Sequence, residues 1–218
     1  MRVQILYRDE NLIICEKPVG ISSESPGLPD IISDMTGVTV YPVHRLDTGT
    51  GGVAVLALSK TACQDVQNIF QNRLIIKEYF AVVEGIMPEK NGVFADYLFH
   101  DKYKNKSYVV SRPRKGVKEA SCEWSVTDSI HAKEGTLSLI KIKLHTGRTH
   151  QIRVQFGSRG FPLVGDRKYG SRIKAEIPAL WAFRIRFKYP SDTKSYIDVH
   201  SFPPRTFPWD LFSELNYE

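Results

Sequence analysis

The sequence predicts an α+β fold, a mixed and mostly antiparallel central sheet with helices on its flanks. Three observations carry that expectation. Short β-branched and apolar runs recur along the chain, several of them in pairs around a turn. One long stretch, 61–74, has the apolar spacing of an amphipathic helix. No repeat, low-complexity segment or linker interrupts the 218 residues, so 1–218 reads as a single domain with a substantial core.

Ile5–Tyr7 and Leu12–Cys15 read as a strand pair around Arg8-Asp9-Glu10-Asn11, and Lys17-Pro18-Val19-Gly20 as the turn that ends it. Asp30–Met35 can form one helical turn, stopped by Gly37. Val38–Val43 is β-branched and reads as a strand, and Val53–Leu58 is apolar throughout and reads as a buried one. In 61–74, Cys63, Val66, Ile69 and Phe70 share a face, with Ser59 as a plausible cap. Lys77–Gly85 reads as a strand. The window 101–119 is the most basic part of the chain, with Tyr103 and Tyr108 interleaved, and reads either as a surface suited to a phosphate backbone and unstacked bases or as a solvated, mobile loop. Ala120–Asp128 and Thr136–His145 alternate as a hairpin. After Gly147, Thr149 can cap a helix carrying Ile152 and Phe156 on one face and His150 and Arg153 on another. Ile185–Phe187 and Tyr196–Val199 read as closing strands.

The net charge of +6 and a pI of about 9.2 favour a polyanionic partner. No apolar run approaches a membrane span, and Met1-Arg2-Val3-Gln4-Ile5 does not open a signal peptide, so a cytoplasmic location is expected. Cys15, Cys63 and Cys122 are far apart and odd in number, and read as buried free thiols. The histidines show no paired ligand spacing, so no metal is expected.

The segment His44–Gly52 lies between two strands and is polar and glycine-rich, with Asp47 as its one carboxylate. Asp47-Thr48-Gly49 matches the aspartic-protease triplet, but nothing else in the chain has that pattern. Gly49-x-Gly51-x-x-Ala54 looks like a dinucleotide fingerprint, yet it opens a strand where that fingerprint must open a helix. A plain surface turn also fits these residues taken alone.

The longer run His44-Arg45-Leu46-Asp47-x-x-Thr50-x-Gly52 resembles the central motif of the RluA-type pseudouridine synthases. Three further stretches follow that family in order. They are Asp9-x-x-Leu12-Ile13-Ile14-x-x-Lys17-Pro18-x-Gly20, Lys77-x-Tyr79-x-Ala81-x-Val83-x-Gly85, and Thr146-Gly147-Arg148-Thr149-His150-Gln151-Ile152-Arg153-Val154. Pro162–Gly170 is similar to the family's Gly-Asp-x-x-Tyr-Gly run, where Asp166 reads as a loop brace. The sequence departs from the family at Gly51, usually Ser, at Gln155, usually His, and at Trp181, often His.

The resemblance covers about residues 5–205 and implies the pseudouridine synthase fold with a central RNA-binding cleft. It implies isomerisation of uridine to pseudouridine in ribosomal or transfer RNA, by a monomer without metal or cofactor. The family's N-terminal RNA-binding domain is not expected, because the catalytic pattern starts within the first ten or so residues. By the same resemblance Asp47 is the nucleophile, Arg153 the cation that keeps it charged, and Tyr79 the ring against the freed base. Arg45, His44, Arg148, His150 and Lys77 are expected to hold the RNA. Two alternatives are a catalytically inactive RNA-binding protein on the same frame and an Asp-dependent nucleoside hydrolase.

Overall fold

The computed structural model describes residues 3–189 and 195–215, so Met1 and Arg2 of the N-terminal reading lie outside it. The chain forms two compact units. Met1–Glu78 and Trp181–Pro203 make the first, Tyr79–Leu180 and Pro204–Glu218 the second.

In the first unit, β1 (Ile5–Arg8) and β2 (Leu12–Lys17) pair antiparallel. Asp9 makes the turn between them by accepting the Asn11 and Leu12 amides at 2.7 Å each through Oδ1. Helix α1 (Leu28–Thr36) is longer than the single turn expected. It stops at Gly37, whose φ of 72° is open to glycine and whose amide donates back to the Ser33 carbonyl. The strand expected over 38–43 is only Tyr41–Pro42, β3, because proline has no amide to extend a ladder.

The centre of this unit is β4 (Gly51–Ala57), buried at every residue. β2 covers one edge along its length, Leu12 opposite Ala57 through Lys17 opposite Gly52. The other edge is divided. β3 takes its far end, antiparallel, and β10 (Leu180–Phe187) takes Gly51 and Gly52, parallel. β11 (Ile197–His200) flanks β10. A strand buried on both faces must be apolar throughout, which is why Val53–Leu58 shows no alternation in sequence.

Helix α2 (Lys60–Gln71) packs Ala62, Val66 and Ile69 onto this core. Ser59 caps it as expected, its Oγ accepting the Ala62 amide at 3.1 Å.

The second unit orders its strands β5-β9-β8-β6-β7. β5 is Ile75–Glu84, β6 Asn91–Asp101, β7 Lys106–Val110, β8 Val117–Ala132 and β9 Gly135–Leu144. The β8–β9 hairpin matches the expectation but is longer, with an irregularity between Val126 and Asp128. The basic window 101–119 is not one loop. β6 and β7 form a hairpin through it, with Asp101 opposite Lys106 and Tyr97 opposite Val110. Helix α3 (Gln151–Gly157) buries Ile152, Val154 and Phe156. The fold class is therefore α+β with a mixed, mostly antiparallel sheet, and no described helix is long and apolar enough to cross a membrane.

Cys15 and Cys122 are buried free thiols, and Cys63 is half-buried. Burial pushes the thiols of Cys15 and Cys122 up to about 12, so they stay protonated and unreactive.

Ser59→Ala removes the side-chain acceptor that caps α2 and is expected to lower stability by about 1 kcal/mol, with Ser59→Asp restoring it, as read from urea denaturation midpoints.

Candidate active site

The bend 43–50 leaves β3 and enters β4, and its backbone is fixed at several points within the first unit. Leu46 is buried and exchanges two hydrogen bonds with Ser23, amide to Oγ and Oγ to carbonyl, each 2.9 Å. The Thr50 amide donates to the Asp47 carbonyl at 2.9 Å, closing a tight turn. The Thr48 carbonyl accepts the Gly20 amide at 2.8 Å. Asp47, between these ties, is half-buried.

Below the bend lies Lys17, with no exposed surface. An ammonium group there must find acceptors inside the protein. Its Nζ donates to the Ile21 carbonyl at 2.7 Å, to Pro18 at 3.0 Å and, more weakly, to Thr48 at 3.4 Å. Burial pushes its pKa down to about 8, against the opposing pull of the Asp47 charge. The sequence suggests only a strand-ending turn at Lys17-Pro18. The structure adds a buried cation beside the candidate nucleophile.

His44 is braced within the unit. Its Nε2 accepts the Val55 amide at 3.1 Å, where β4 has no strand partner on that side, and its ring stacks on Phe70 at 4.9 Å. Burial, and then the nearby Lys77 charge, push its pKa down to about 3, so the ring is neutral and Nδ1 carries the proton. Lys77 lies over the Phe70 ring at 5.6 Å. Arg45 is exposed and pairs with Glu24 at 3.3 Å, an open ion pair of small energy.

In the second unit, Arg153 on α3 forks onto Asp166, Nε to Oδ2 at 2.6 Å and Nη2 to Oδ1 at 2.8 Å. Asp166 is 1% exposed, and the Tyr169 ring lies 5.2 Å from the guanidinium carbon. Asp166 therefore orients Arg153 by a bidentate bond, a role the sequence does not reveal beyond a loop brace. The Tyr169 hydroxyl accepts the Ser107 amide at 2.7 Å and lies 2.9 Å from His150 Nδ1. Burial holds that hydroxyl above its ordinary pKa. Tyr79, on β5, is half-buried and packs against the apolar cluster of this unit.

The expected cap of α3 differs. His150, not Thr149, is the residue before the helix, in the left-handed region at φ 55° with no side-chain cap. Gln151, the first helical residue, instead ties down the turn that leads into the helix. Its Oε1 accepts the Arg148 amide at 3.1 Å and the Thr146 hydroxyl at 2.7 Å, and its Nε2 donates to Ser121 at 3.1 Å. At seven residues α3 is too short for the phosphate site that a capped helix start suggests. Arg148 donates through Nε to the Glu119 carbonyl at 2.8 Å. Gln155, where the family pattern has His, is wholly buried and donates to Asp96 at 2.7 Å.

What these groups can do chemically follows. Asp47 is a carboxylate on a backbone that cannot easily shift. Arg153 is a cation whose direction is set by a buried partner.

The family model described as RNA pseudouridylate synthase matches residues 11–158. An uncharacterized RNA pseudouridine synthase of Aquifex aeolicus is 33% identical over 213 residues, covering 87% of this chain and 66% of that protein. Ribosomal large subunit pseudouridine synthase D of Borreliella burgdorferi is 30% identical over 185 residues, covering 77% and 55%. The chain thus spans about two thirds of the first relative and just over half of the second. Among solved structures, human RNA pseudouridylate synthase domain containing 1 superposes with a TM-score of 0.81 at 22% identity, covering 95% of this chain and 85% of that one, which is a likeness of fold.

Asp166→Ala takes away the carboxylate that two nitrogens of a buried guanidinium share, and is expected to cost about 3–5 kcal/mol in chemical denaturation. For Lys17 the folded pKa of about 8 lies below the ordinary lysine value of 10.5. Between those two values the unfolded chain binds more protons, so this group makes stability rise with pH, by about 1.4 kcal/mol per pH unit at the steepest. Below about pH 8 both states are protonated and the slope vanishes. Lys17→Met is expected to lose that slope, which comparing urea midpoints at neutral and alkaline pH checks.

Proposed function

Because the chain belongs to the RNA pseudouridylate synthase family, we propose that it isomerises particular uridines of ribosomal or transfer RNA to pseudouridine, with residues 1–218 acting as one catalytic domain. The N1–C1′ bond breaks, the base turns over, and C5 bonds to C1′. The proton on C5 leaves and N1 gains one, so atoms balance without redox or group transfer, and no metal or cofactor is required.

Asp47 is the nucleophile. The observation that supports it most is the bend itself, a half-buried carboxylate whose neighbours on both sides are tied by hydrogen bonds. Arg153 stabilises that negative charge with the part of its guanidinium that Asp166 does not engage, and Asp166 sets its direction. Tyr79 stacks on the freed uracil and takes the C5 proton. The target nucleotide must leave its stack to be reached, and Arg45, exposed beside Asp47, exchanges Glu24 for the RNA as it fills the gap or grips the backbone. Lys77 and Arg148 add positive charge for phosphates. His44 and His150, each already bonded within its own unit, contribute by holding the segments they sit on. A monomer in the cytoplasm completes the reading.

The test is tritium release from RNA labelled at uracil C5. Asp47→Asn and Asp47→Ala are expected to abolish release while melting and RNA binding stay near wild type. Tyr79→Phe is expected to slow release by about 10²–10⁴-fold, the range for a lost proton transfer. An Asp47→Ala protein that still formed pseudouridine would sink the assignment.

A further inference from the structure

Behind the Asp47 bend, β4 and β10 run parallel, with Trp181 opposite Gly51 and Ala182 opposite Gly52. The indole and the bare backbone of Gly51 occupy one space. A β-carbon on Gly51 would overlap Trp181 Cζ3, with Cε3 at 2.8 Å and Cη2 at 2.9 Å. Gly52 is held as closely: its φ is 109°, and a β-carbon there would run into the Ala182 backbone. Positions 51 and 181 are also two of the three at which the chain parts from the pattern it resembles.

The indole cannot retreat. It is 5% exposed, and a buried indole N–H needs a partner. Nε1 donates to the Ser201 carbonyl at 3.0 Å and lies 3.2 Å from its Oγ. Ser201 Oγ in turn donates to Glu16 at 2.6 Å, and the Ser201 amide donates to the Phe183 carbonyl at 2.8 Å. Glu16 precedes Lys17, the buried cation beneath Thr48. The start of β4 is therefore pressed from one side by an anchored ring. From the other, the Gly20 amide and Lys17 draw on the Thr48 carbonyl. Asp47 stands one residue before the point so held.

We propose that Trp181 is a positioning residue for Asp47, its indole acting as a backstop that sets where the bend enters β4 and so where the carboxylate stands. This rests on the reading of Asp47 as the reacting group. A ring that merely filled the core would change stability alone. A backstop changes the chemical step at unchanged RNA affinity, because a displacement of about an ångström at a reacting group is enough to slow it about 10²-fold.

The test combines kcat and KM on RNA with hydrogen exchange at the Leu46 and Thr50 amides, which are bonded to Ser23 and Asp47. Gly51→Ala puts a methyl group where the indole stands. It is expected to lower kcat about 10²-fold at nearly constant KM, and to speed exchange at Thr50 about tenfold. Trp181→Phe withdraws the benzo ring. In the double variant the methyl group has room, and kcat and exchange are expected to return to the level of Trp181→Phe alone.

A Gly51→Ala protein with wild-type kcat and exchange, or a double variant whose kcat stays below that of Trp181→Phe alone, overturns the proposal. Should Gly51→Ala fail to fold, Trp181→Phe and Trp181→Leu decide it. Lower kcat at constant KM with faster Thr50 exchange supports the backstop, and unchanged values overturn it. A wild-type protein that forms no pseudouridine overturns the functional reading instead, and exchange at the two amides then decides the role of Trp181 by itself.

Discussion

The Lys17 ammonium has no exposed surface, so its hydrogen bonds must be found inside the protein, and they are found in the carbonyls of Ile21 and Pro18 and, more weakly, of Thr48 next to Asp47. A buried charge is costly unless its acceptors stay in place. The lowered pKa shows that the carbonyls and the Asp47 charge do not fully offset that cost. The group ties the loop of residues 18–21 to the bend of residues 47–48. Near a reactive carboxylate, fixed geometry can matter more than a few kcal/mol of stability.

The second unit uses the same device with the signs reversed. The charge that matters is the Arg153 guanidinium, and the group that directs it is Asp166, almost wholly buried. Tyr169 lies under the same guanidinium while its hydroxyl meets Ser107 and His150. In both units a deeply buried polar group lies at the candidate: Lys17 is bonded to the backbone carbonyl that follows Asp47, and Asp166 to the Arg153 guanidinium itself. Solvated partners would exchange with water, and their geometry would drift.

Backbone bonds limit the bend in the directions they point, and packing limits it in the rest. Ser23, Gly20 and Lys17 act along hydrogen bonds at Leu46 and Thr48. The close approach of Trp181 to Gly51 acts by exclusion, which has no preferred partner but permits no overlap. Glycine at 51 is required by space, whereas at 52 both space and the left-handed φ require it.

The helix at 60–71 with its Ser59 cap, the buried strand that became β4, and the β8–β9 hairpin were legible in sequence, because each is governed by local periodicity and capping. The bend bearing Asp47 was legible by its motif. β6 was not, since Asn91–Asp101 is largely half-exposed and its alternation is mixed with polar residues, and β7 was hidden in a window whose charge suggested a loop. Thr149 has the right chemistry for a cap, yet the helix starts one residue later, at a left-handed His150 with no side-chain cap. The pairing of Arg153 with Asp166, thirteen residues on, the burial of Lys17, and the meeting of Trp181 with Gly51 lie in no local pattern. Sequence alone determined which residues are candidates for the chemistry and the short-range elements that bear them. Tertiary structure alone decided which buried groups hold those residues still, because burial and contact between distant segments are properties of the packed chain.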